Sequence, residues 1–278
     1  MRLRIAHSSV YRYDPPTAGV IQVLRLTPRN HEGQHIGHWR IDVTPDARLA
    51  SHEDAFGNIT HVFTADGPLD ELTVAVDGEV ETQNTDGVVR GTVERFPPSL
   101  FLRDTALTQA DTAIRDWAAK IRAASGGEVL AELHGLLDRL FEGIASASAT
   151  GNAAASPAPV NAAEAFARKH GAPKNLAPKD LAHVFIGAAH SLGIPARYVS
   201  GYFRKSGESA DADTSHAWAE AYVPGLGWVS FDPSTGVCPT DAHVRVAIGL
   251  DSLGAAAVRG TRMGVSAETA TVAIKVDQ

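Results

Sequence analysis

The stretch that decides the fold covers residues 180–202 and reads DLAHVFIGAAHSLGIPARYVSGY. In its first half, apolar residues recur every three or four positions, which predicts a helix with one buried face. These residues are Leu181, Val184, Phe185, Ala188 and Leu192. Gly193 and Pro195 are typical signals for the end of a helix. Residues 196–203 then predict a strand that follows the helix directly.

More strands are expected downstream of this helix–strand unit. Residues 216–223 and 228–232 are two further strand candidates, and the short turn Pro224–Gly227 would join them as a hairpin. Short strands are also expected around residues 244–248 and 272–276. Helices that are followed by an antiparallel sheet indicate an α+β layout for this part of the chain.

The N-terminal third of the chain has the alternation of β-structure. Trp39, Ile41 and Val43 alternate with polar residues, which predicts an antiparallel β-sandwich or small barrel with one solvated face. Near residue 97 the pattern becomes helical, and the first helix is expected to have its N-cap at Thr108. We therefore expect an N-terminal β-domain over residues 1–95 and a core domain of helices packed on an antiparallel sheet over residues 96–278.

Two segments show no periodicity and are interpreted as connectors. Residues 145–159 are rich in Ala, Ser, Gly and Pro, which is typical of a flexible linker. Residues 208–213 are acidic and predict a mobile loop that could rim a cleft beside His216.

Composition excludes some function classes. The chain has 278 residues and a formal net charge of −7, which argues against a nucleic-acid binder because phosphate must be neutralised by basic surface. Its one cysteine cannot form an internal disulfide. Neither a secretory signal nor a stretch of 18 apolar residues is visible, so the expectation is a cytoplasmic protein without membrane contact.

Catalytic chemistry is expected at His216 and Asp232, on the two strands of the hairpin. If Tyr222 lies opposite Trp228, Asp232 becomes a diagonal neighbour of His216, at roughly 7–8 Å between backbones. A carboxylate within reach of an imidazole fixes its tautomer and stabilises the imidazolium. A register slip of one residue would separate the pair.

Such a dyad needs a nucleophile, and the sequence does not provide one where it is expected. A thiol at a helix N-terminus is activated by the helix dipole, and the helix near Asp180 is the right kind of element. Its first turn, residues 176–180, reads LAPKD and has no Cys, Ser or Thr.

Several motifs in their order resemble the bacterial transglutaminase-like family of the papain-type cysteine-hydrolase superfamily, and the resemblance covers most of the chain. In the core the motifs are residues 180–183, DLAH; 191–202, SLGIPARYVSGY; 216–220, HAWAE; 224–228, PGLGW; and 231–233, FDP. In the N-terminal part they are residues 12–14, RYD; 26–29, LTPR; and 54–58, DAFGN.

This resemblance implies a role for each position of the site. The family's helix opens with Gly-Val-Cys-Gln-Asp-Phe-Ala-His, and alignment on Asp180 and His183 places its nucleophilic cysteine at Pro178. The family's catalytic His and Asp fall on His216 and Asp232, which would form a vestigial dyad. Proline is well accepted in the first turn of a helix, so the chemistry would be lost while the scaffold stays sound.

Other candidate site residues are weaker. Cys238, which follows the Asp232 strand, could be a displaced nucleophile, although an inert, partly buried thiol is the better interpretation. Ser215 points to the opposite face from its neighbour His216. His31, His35 and His38 cluster in the sequence, but without matching carboxylates they are interpreted as solvated. No metal and no cofactor is expected.

The leading hypothesis is a catalytically inactive transglutaminase-like protein with a binding, regulatory or scaffold role. Its partner would be a peptide or protein, with an active homologue as one candidate. The alternative is an active cysteine-type amidase or acyltransferase that uses a relocated nucleophile such as Cys238, or a water activated by the dyad. A third reading is an assembly module whose cleft is plugged, for example by extra residues before Asp180.

Overall fold

In a computed structural model the chain is described over residues 1–142, 159–169, 176–205 and 215–278. The predicted loop at 208–213 and nearly all of the predicted connector at 145–159 lie outside these ranges, as do residues 170–175 before the central helix. Within the described ranges no helix has the length and apolar character needed to cross a membrane.

The described chain has five strands, then four α-helices, then six more strands. The strands are β1 Arg2–Thr27, β2 Gln34–Thr44, β3 Ala50–Glu53, β4 Ile59–Thr82, β5 Val88–Val89, β6 Ala196–Phe203, β7 Ser215–Val223, β8 Gly227–Phe231, β9 His243–Gly249, β10 Val258–Met263 and β11 Ala267–Asp277. The helices are α1 Thr112–Ala124, α2 Val129–Phe141, α3 Ala162–Lys169 and α4 Pro178–Ser191, with a short 3₁₀ helix over Pro98–Leu102. The cap of α1 is Asp111, whose carboxylate accepts from the Ile114 amide, so the predicted N-cap at Thr108 is wrong by three residues.

The first sheet is built around two long antiparallel strands, β1 and β4. Its order is β10-β1-β4-β2, with β11 also paired to β1 and β3 to β4. The pairing of β1 with β4 shifts between Arg12 and Gly19, and such irregularities let long strands bend. Residues from both sides of the bend, such as Tyr13 and Leu24, share one apolar cluster. The sheet thus encloses its own core, as the alternation in the sequence predicts.

The second sheet is antiparallel, with the order β5-β8-β7-β6-β9, and belongs to the core. Alanines 217, 219 and 221 of β7 lie on the face that forms one apolar cluster with α4. Their small side chains let the helix approach the sheet closely. The other face carries Trp218 and Trp228 in a separate aromatic cluster.

Helix α4 runs antiparallel to the strand that follows it. A short connection leads from its C-terminus to Ala196, and the rings of His183 and Tyr198 lie 5.4 Å apart. Pro178 is about 7–8 Å further along the helix axis from His183, at a rise of about 1.5 Å per residue. The first turn of α4 therefore lies at the end of the core sheet where Gly201 pairs with His216.

The sheets divide the chain differently from the expected boundary at residue 95. Strands β10 and β11 come from the end of the expected core domain, yet both pair with β1 of the first sheet. Conversely, β5 comes from the expected β-domain and pairs with β8 of the core sheet. The sheet to which each of these segments belongs is decided by its pairing with a strand distant in the chain. Sequence periodicity does not encode that pairing.

Two side-chain amides hold the first sheet against the edge of the second. Asn58 accepts from the backbone N–H of Ile248 and donates to its carbonyl, at 2.8 Å in both directions. Gln34 does the same for Arg245, at 2.8 and 2.9 Å. Because β9 is an edge strand, these amides satisfy backbone groups that would otherwise be unpaired.

Candidate active site

His216 and Asp232 are hydrogen-bonded at the end of the core sheet. Tyr222 pairs with Trp228, the register on which the sequence argument depends. His216 Nε2 lies 2.6 Å from Asp232 Oδ2, and both residues are buried. Because Nε2 of His216 is hydrogen-bonded to Asp232, Nδ1 is the ring nitrogen that remains available. No described residue is hydrogen-bonded to it.

Asp232 is the centre of a larger arrangement than a dyad. Its Oδ1 accepts from the backbone N–H and the hydroxyl of Ser234, at 2.9 and 2.7 Å. Its Oδ2 accepts from His216 and also from Nε2 of His243, at 3.3 Å. We call these four residues, Ser234, Asp232, His216 and His243, the strand half of the site.

Sequence reasoning missed His243. It lies on β9, which is separated from β7 by β6, and only the tertiary structure brings the two imidazoles to one carboxylate. Phe203 of β6 packs against both, with ring centroids at 4.9 Å from His216 and 4.4 Å from His243. The sequence offered one signal: His243 directly precedes the strand predicted at residues 244–248. In the structure this strand lies beside β6, which pairs with β7.

The carboxylate of Asp232 stays ionised under all ordinary conditions. Burial alone would raise its pKa, but the charge and hydrogen bond of His216, with a further contribution from His243, hold the pKa well below its usual range. A fixed negative charge beside His216 orients that imidazole through the hydrogen bond to Nε2.

The proton of His243 is fixed by its second hydrogen bond. The backbone N–H of Thr240 donates to Nδ1 at 3.1 Å, so Nδ1 carries no proton and the proton sits on Nε2, directed at Asp232. Burial lowers the pKa of His243 despite the nearby carboxylate. His243 is therefore a neutral donor that holds Asp232 in place.

This proton assignment bears on metal binding. His216, Asp232 and His243 offer ligand atoms within 4.8 Å of one another, the only such group of three within the described ranges. A metal on Nε2 of His243 would require the proton to move to Nδ1, where it would face the N–H of Thr240. The three residues do not fit a metal as a set.

The opposite part of the site is the first turn of α4, residues 177–180, which we call the helix half. Ala177 is the N-cap and makes no side-chain capping hydrogen bond, and Pro178 occupies the first helical position. Asp180 accepts from the backbone N–H of Val160 at 3.2 Å, and burial raises its pKa. No Cys, Ser or Thr is among these side chains.

Behind the helix half, His183 ties α4 to its surroundings. Nδ1 donates to the carbonyl of Val160 at 3.3 Å, and Nε2 accepts from the backbone N–H of Ser252 at 3.1 Å. Burial lowers its pKa to about 4, so the imidazole is neutral near pH 7. It joins three segments of the core and does not contact the strand half by a hydrogen bond.

The side chains of the remaining candidates make no hydrogen bond to His216 or Asp232 in the described part of the chain. Cys238 is half-buried against Gly87, and burial together with the charge of Asp86 raises its pKa to about 11. Ser215 is exposed. His31 lies in a turn, while His35 and His38 are on β2, and the three do not form a group of metal ligands among the described residues.

A second buried polar network was also missed by sequence reasoning. Glu220 accepts from Arg197 and from Arg245, at 2.7 and 2.6 Å, and Arg197 also donates twice to Glu94. The Arg197 guanidinium lies 3.9 Å from the Trp228 ring centroid. Arg197 and Glu220 each stood in a motif, but spacing gave no sign that these four residues meet.

The helix-on-sheet core with a buried His–Asp pair defines the papain-type class of cysteine-hydrolase folds. Two family models match the chain: the bacterial transglutaminase-like N-terminal region over residues 3–81, and the transglutaminase-like superfamily core over residues 132–233. Residues 132–233 thus carry a transglutaminase-like superfamily core, and residues 3–81 carry the N-terminal region of bacterial transglutaminase-like proteins.

Known relatives support this assignment. An uncharacterised protein of Mycobacterium leprae is 26% identical over 291 residues, which cover 99% of this chain and 98% of that protein. The uncharacterised Bacillus subtilis protein YebA is 41% identical over 58 residues, 16% of this chain and 8% of YebA. A candidate cysteine protease from Cytophaga hutchinsonii has the same fold, with a TM-score of 0.75 and 20% identity over 100% of this chain and 90% of that structure.

Proposed function

We propose that this chain is a catalytically inactive transglutaminase-like protein that binds a peptide or protein partner. One observation carries the proposal: the strand half of the site is complete, while the helix half begins with Pro178 and holds no Cys, Ser or Thr. Position 178 is the one to which the family resemblance assigns the nucleophile.

The placement of α4 supports this reading of Pro178. The first turn of the helix lies at the same end of the core sheet as His216, where a nucleophile would be required. A proline has no group that can attack a carbonyl, and a family acyl-enzyme route needs such an attack. The loss is confined to one side chain, because proline suits the first helical position.

Cys238 is a poor replacement for the lost nucleophile. Its pKa of about 11 keeps it as a thiol near pH 7, whereas the thiolate is the reactive form. It packs against Gly87 and makes no hydrogen bond to His216 in the described part of the chain. A relocated cysteine would require both a lower pKa and contact with the dyad.

The proposed partner presents an extended peptide or an amide group to the retained site. The second ring nitrogen of His216 would meet that group, as it would meet a substrate in a catalytic relative. An active homologue is one candidate partner, since it has the same architecture and a working nucleophile.

The first test is an activity panel of amide hydrolysis and amine transfer, with wild type, Cys238→Ala and His216→Ala. We expect no turnover above background in any of the three proteins. Turnover that is lost in either variant would overturn the proposal and identify the replacement chemistry. It would then favour the alternative of an active amidase or acyltransferase.

A complementary test restores the thiol. In Pro178→Cys, the helix N-terminus should lower the pKa of the new thiol, and alkylation by iodoacetamide should be fast near pH 7. Lys179→Cys, one position further into the helix, is the matched control and should react more slowly. Equal rates in the two variants would contradict the assignment of position 178 to the nucleophile.

A further inference from the structure

A small cavity lies next to His243 of the strand half, on the face of the core sheet that α4 does not cover. The free space between its walls, counted together with adjoining open solvent, is about 400 Å³. Its wall includes Trp218, His243 and Arg245 of the core sheet, together with His31 from the first part of the chain. Exposed Gln83 and Thr240 stand at the rim, so the cavity is open to solvent.

Two N–H groups in the wall are buried and have no hydrogen-bond partner. Trp218 is 1% exposed, and its indole Nε1 is unpaired. The far end of the same indole packs on Gly201, where an added Cβ would come within 2.7 Å of the ring, so the N–H edge faces away from β6. An unpaired buried donor costs about 1–3 kcal/mol and is rare unless something fills the site.

The second unpaired group is Nε2 of His31. Its Nδ1 accepts from the backbone N–H of Gly33 at 3.2 Å, so the proton of the neutral ring sits on Nε2. Burial and the nearby Arg245 charge lower the pKa of His31 to about 4, which keeps the ring neutral. Both unpaired groups are thus donors and call for an acceptor atom.

The charge of the wall identifies the acceptor as an anion. The lining contains one guanidinium, that of Arg245, and several hydroxyl and amide groups, but no carboxylate. Arg245 donates to Glu220 through Nε and one terminal nitrogen, and Glu220 is itself shared with Arg197. Glu220 offsets part of the Arg245 charge, but no carboxylate lines the cavity itself, so a carboxylate at the two donors gains charge-assisted hydrogen bonds.

We propose that this cavity is a second ligand site, which binds a small carboxylate through the indole N–H of Trp218 and the imidazole N–H of His31. The site is separate from the dyad, because His243 stands between the cavity and Asp232. The inference does not depend on whether the protein is catalytic.

The test follows the indole N–H signals by two-dimensional nitrogen–proton NMR while sodium acetate is added. The chain has four tryptophans, and Trp218→Phe assigns the signal. We expect a saturable shift of the Trp218 signal with acetate, and little shift with the neutral isostere acetamide or with sodium chloride. Trp39 is an internal control, since its Nε1 is also buried and unpaired but is not in the cavity wall.

Two variants sharpen the assignment. His31→Phe should weaken acetate binding about tenfold, the loss expected for one hydrogen bond to a charged group of about 1.4 kcal/mol. His61→Phe, at a histidine outside the cavity, should leave binding unchanged. If His31→Phe does not fold, as judged by its overall spectrum, the comparison of acetate with acetamide in the wild type remains decisive.

Three results would overturn the proposal. They are the absence of a saturable shift with acetate, an equal response to acetamide, and an equal movement of the Trp39 signal. The first would mean that water alone fills the cavity, the second that charge is not recognised, and the third that the effect is one of bulk salt.

Discussion

The two halves of the candidate active site differ in how strongly their surroundings hold them. In the strand half, Asp232 is fully buried and accepts hydrogen bonds from four donors on three residues. In the helix half, Ala177 caps without a side-chain hydrogen bond and Pro178 offers no donor. The strand half is fixed by a network, whereas the first helical position requires only a side chain that fits a helix start.

This difference explains how chemistry can be lost while geometry is kept. Removing a partner from a buried charged network leaves unpaired groups and is costly. Exchanging the side chain at the first position of a helix leaves the hydrogen bonds of the helix intact. The catalytic potential of the strand half is thus preserved by stability alone, whether or not the protein uses it.

The largest expected effect is that of Asp232→Ala. It leaves His216, His243 and Ser234 without their common acceptor, and we expect the free energy of unfolding to fall by about 3–5 kcal/mol. Urea denaturation measures the change. Asp241→Ala is the matched control, because this more exposed carboxylate is 3.9 Å from the N-terminal amine, and its loss should be about 0.5 kcal/mol or less. Similar losses in both variants would refute the contrast between the halves.

The second prediction concerns how the free energy of unfolding depends on pH through His183, which joins α4 to the rest of the core. His183 has a pKa of about 4 in the folded protein, below the ordinary value of 6.5, so between these values only the unfolded chain is protonated. The stabilisation is complete above about pH 6.5 and is lost as the pH falls toward 4, at about 1.4 kcal/mol per pH unit. In the strand half, Asp232 stays ionised over this range, whereas His243, whose pKa is also lowered by burial, adds to the same pH dependence.

The measurement is the free energy of unfolding of wild type and His183→Gln at a series of pH values. The slope near pH 5 should be shallower in the variant by about 1.4 kcal/mol per pH unit. Other buried histidines contribute equally to both proteins and cancel in the difference. Parallel curves would show that His183 is not held neutral.

A smaller effect is expected from Ser234→Ala, which removes one hydrogen bond to Asp232 and keeps the backbone N–H in place. We expect a loss of about 1.5 kcal/mol in urea, as for a bond to a charged acceptor. Ser191→Ala is the comparison, because that hydroxyl donates to a neutral carbonyl, of Ala188, at 2.7 Å. A loss at Ser234 no greater than at Ser191 would argue against the charge of Asp232 as the cause.

The smallest effect is expected in the helix half. Pro178→Ala should cost less than about 1 kcal/mol, mainly through the greater freedom of the unfolded chain. The same urea titration measures it. A loss above about 2 kcal/mol would mean that Pro178 is a structural requirement, and the difference between the halves would then be much smaller than we infer.

Local signals predicted much of this protein. The helix at 178–191 and the strand at 196–203 follow from apolar spacing and from Gly193 and Pro195, which act within a few residues. The contact of His216 with Asp232 could be predicted because a short turn fixes the register of a hairpin. The catalytic roles of these two residues and of Pro178 stay predictions.

The features that could not be predicted all join distant segments. His243 reaches Asp232 from another strand, and Arg197, Glu220, Arg245 and Glu94 meet across four parts of the chain. Strands β10 and β11 return to the first sheet instead of staying with the core. No spacing rule encodes such contacts, because they depend on how whole sheets pack.

The sequence by itself determined the elements, the hairpin that joins His216 to Asp232 and the absence of Cys, Ser and Thr from the first turn of α4, since each depends on side chains close together in the chain. Tertiary structure alone decided that Asp232 has a second histidine, that the pKa of Cys238 is raised, and that Trp218 and His31, each with an unpaired ring N–H, line one cavity. Burial is the physical reason: it sets pKa values and leaves polar groups paired or unpaired, and it exists only after distant segments have packed.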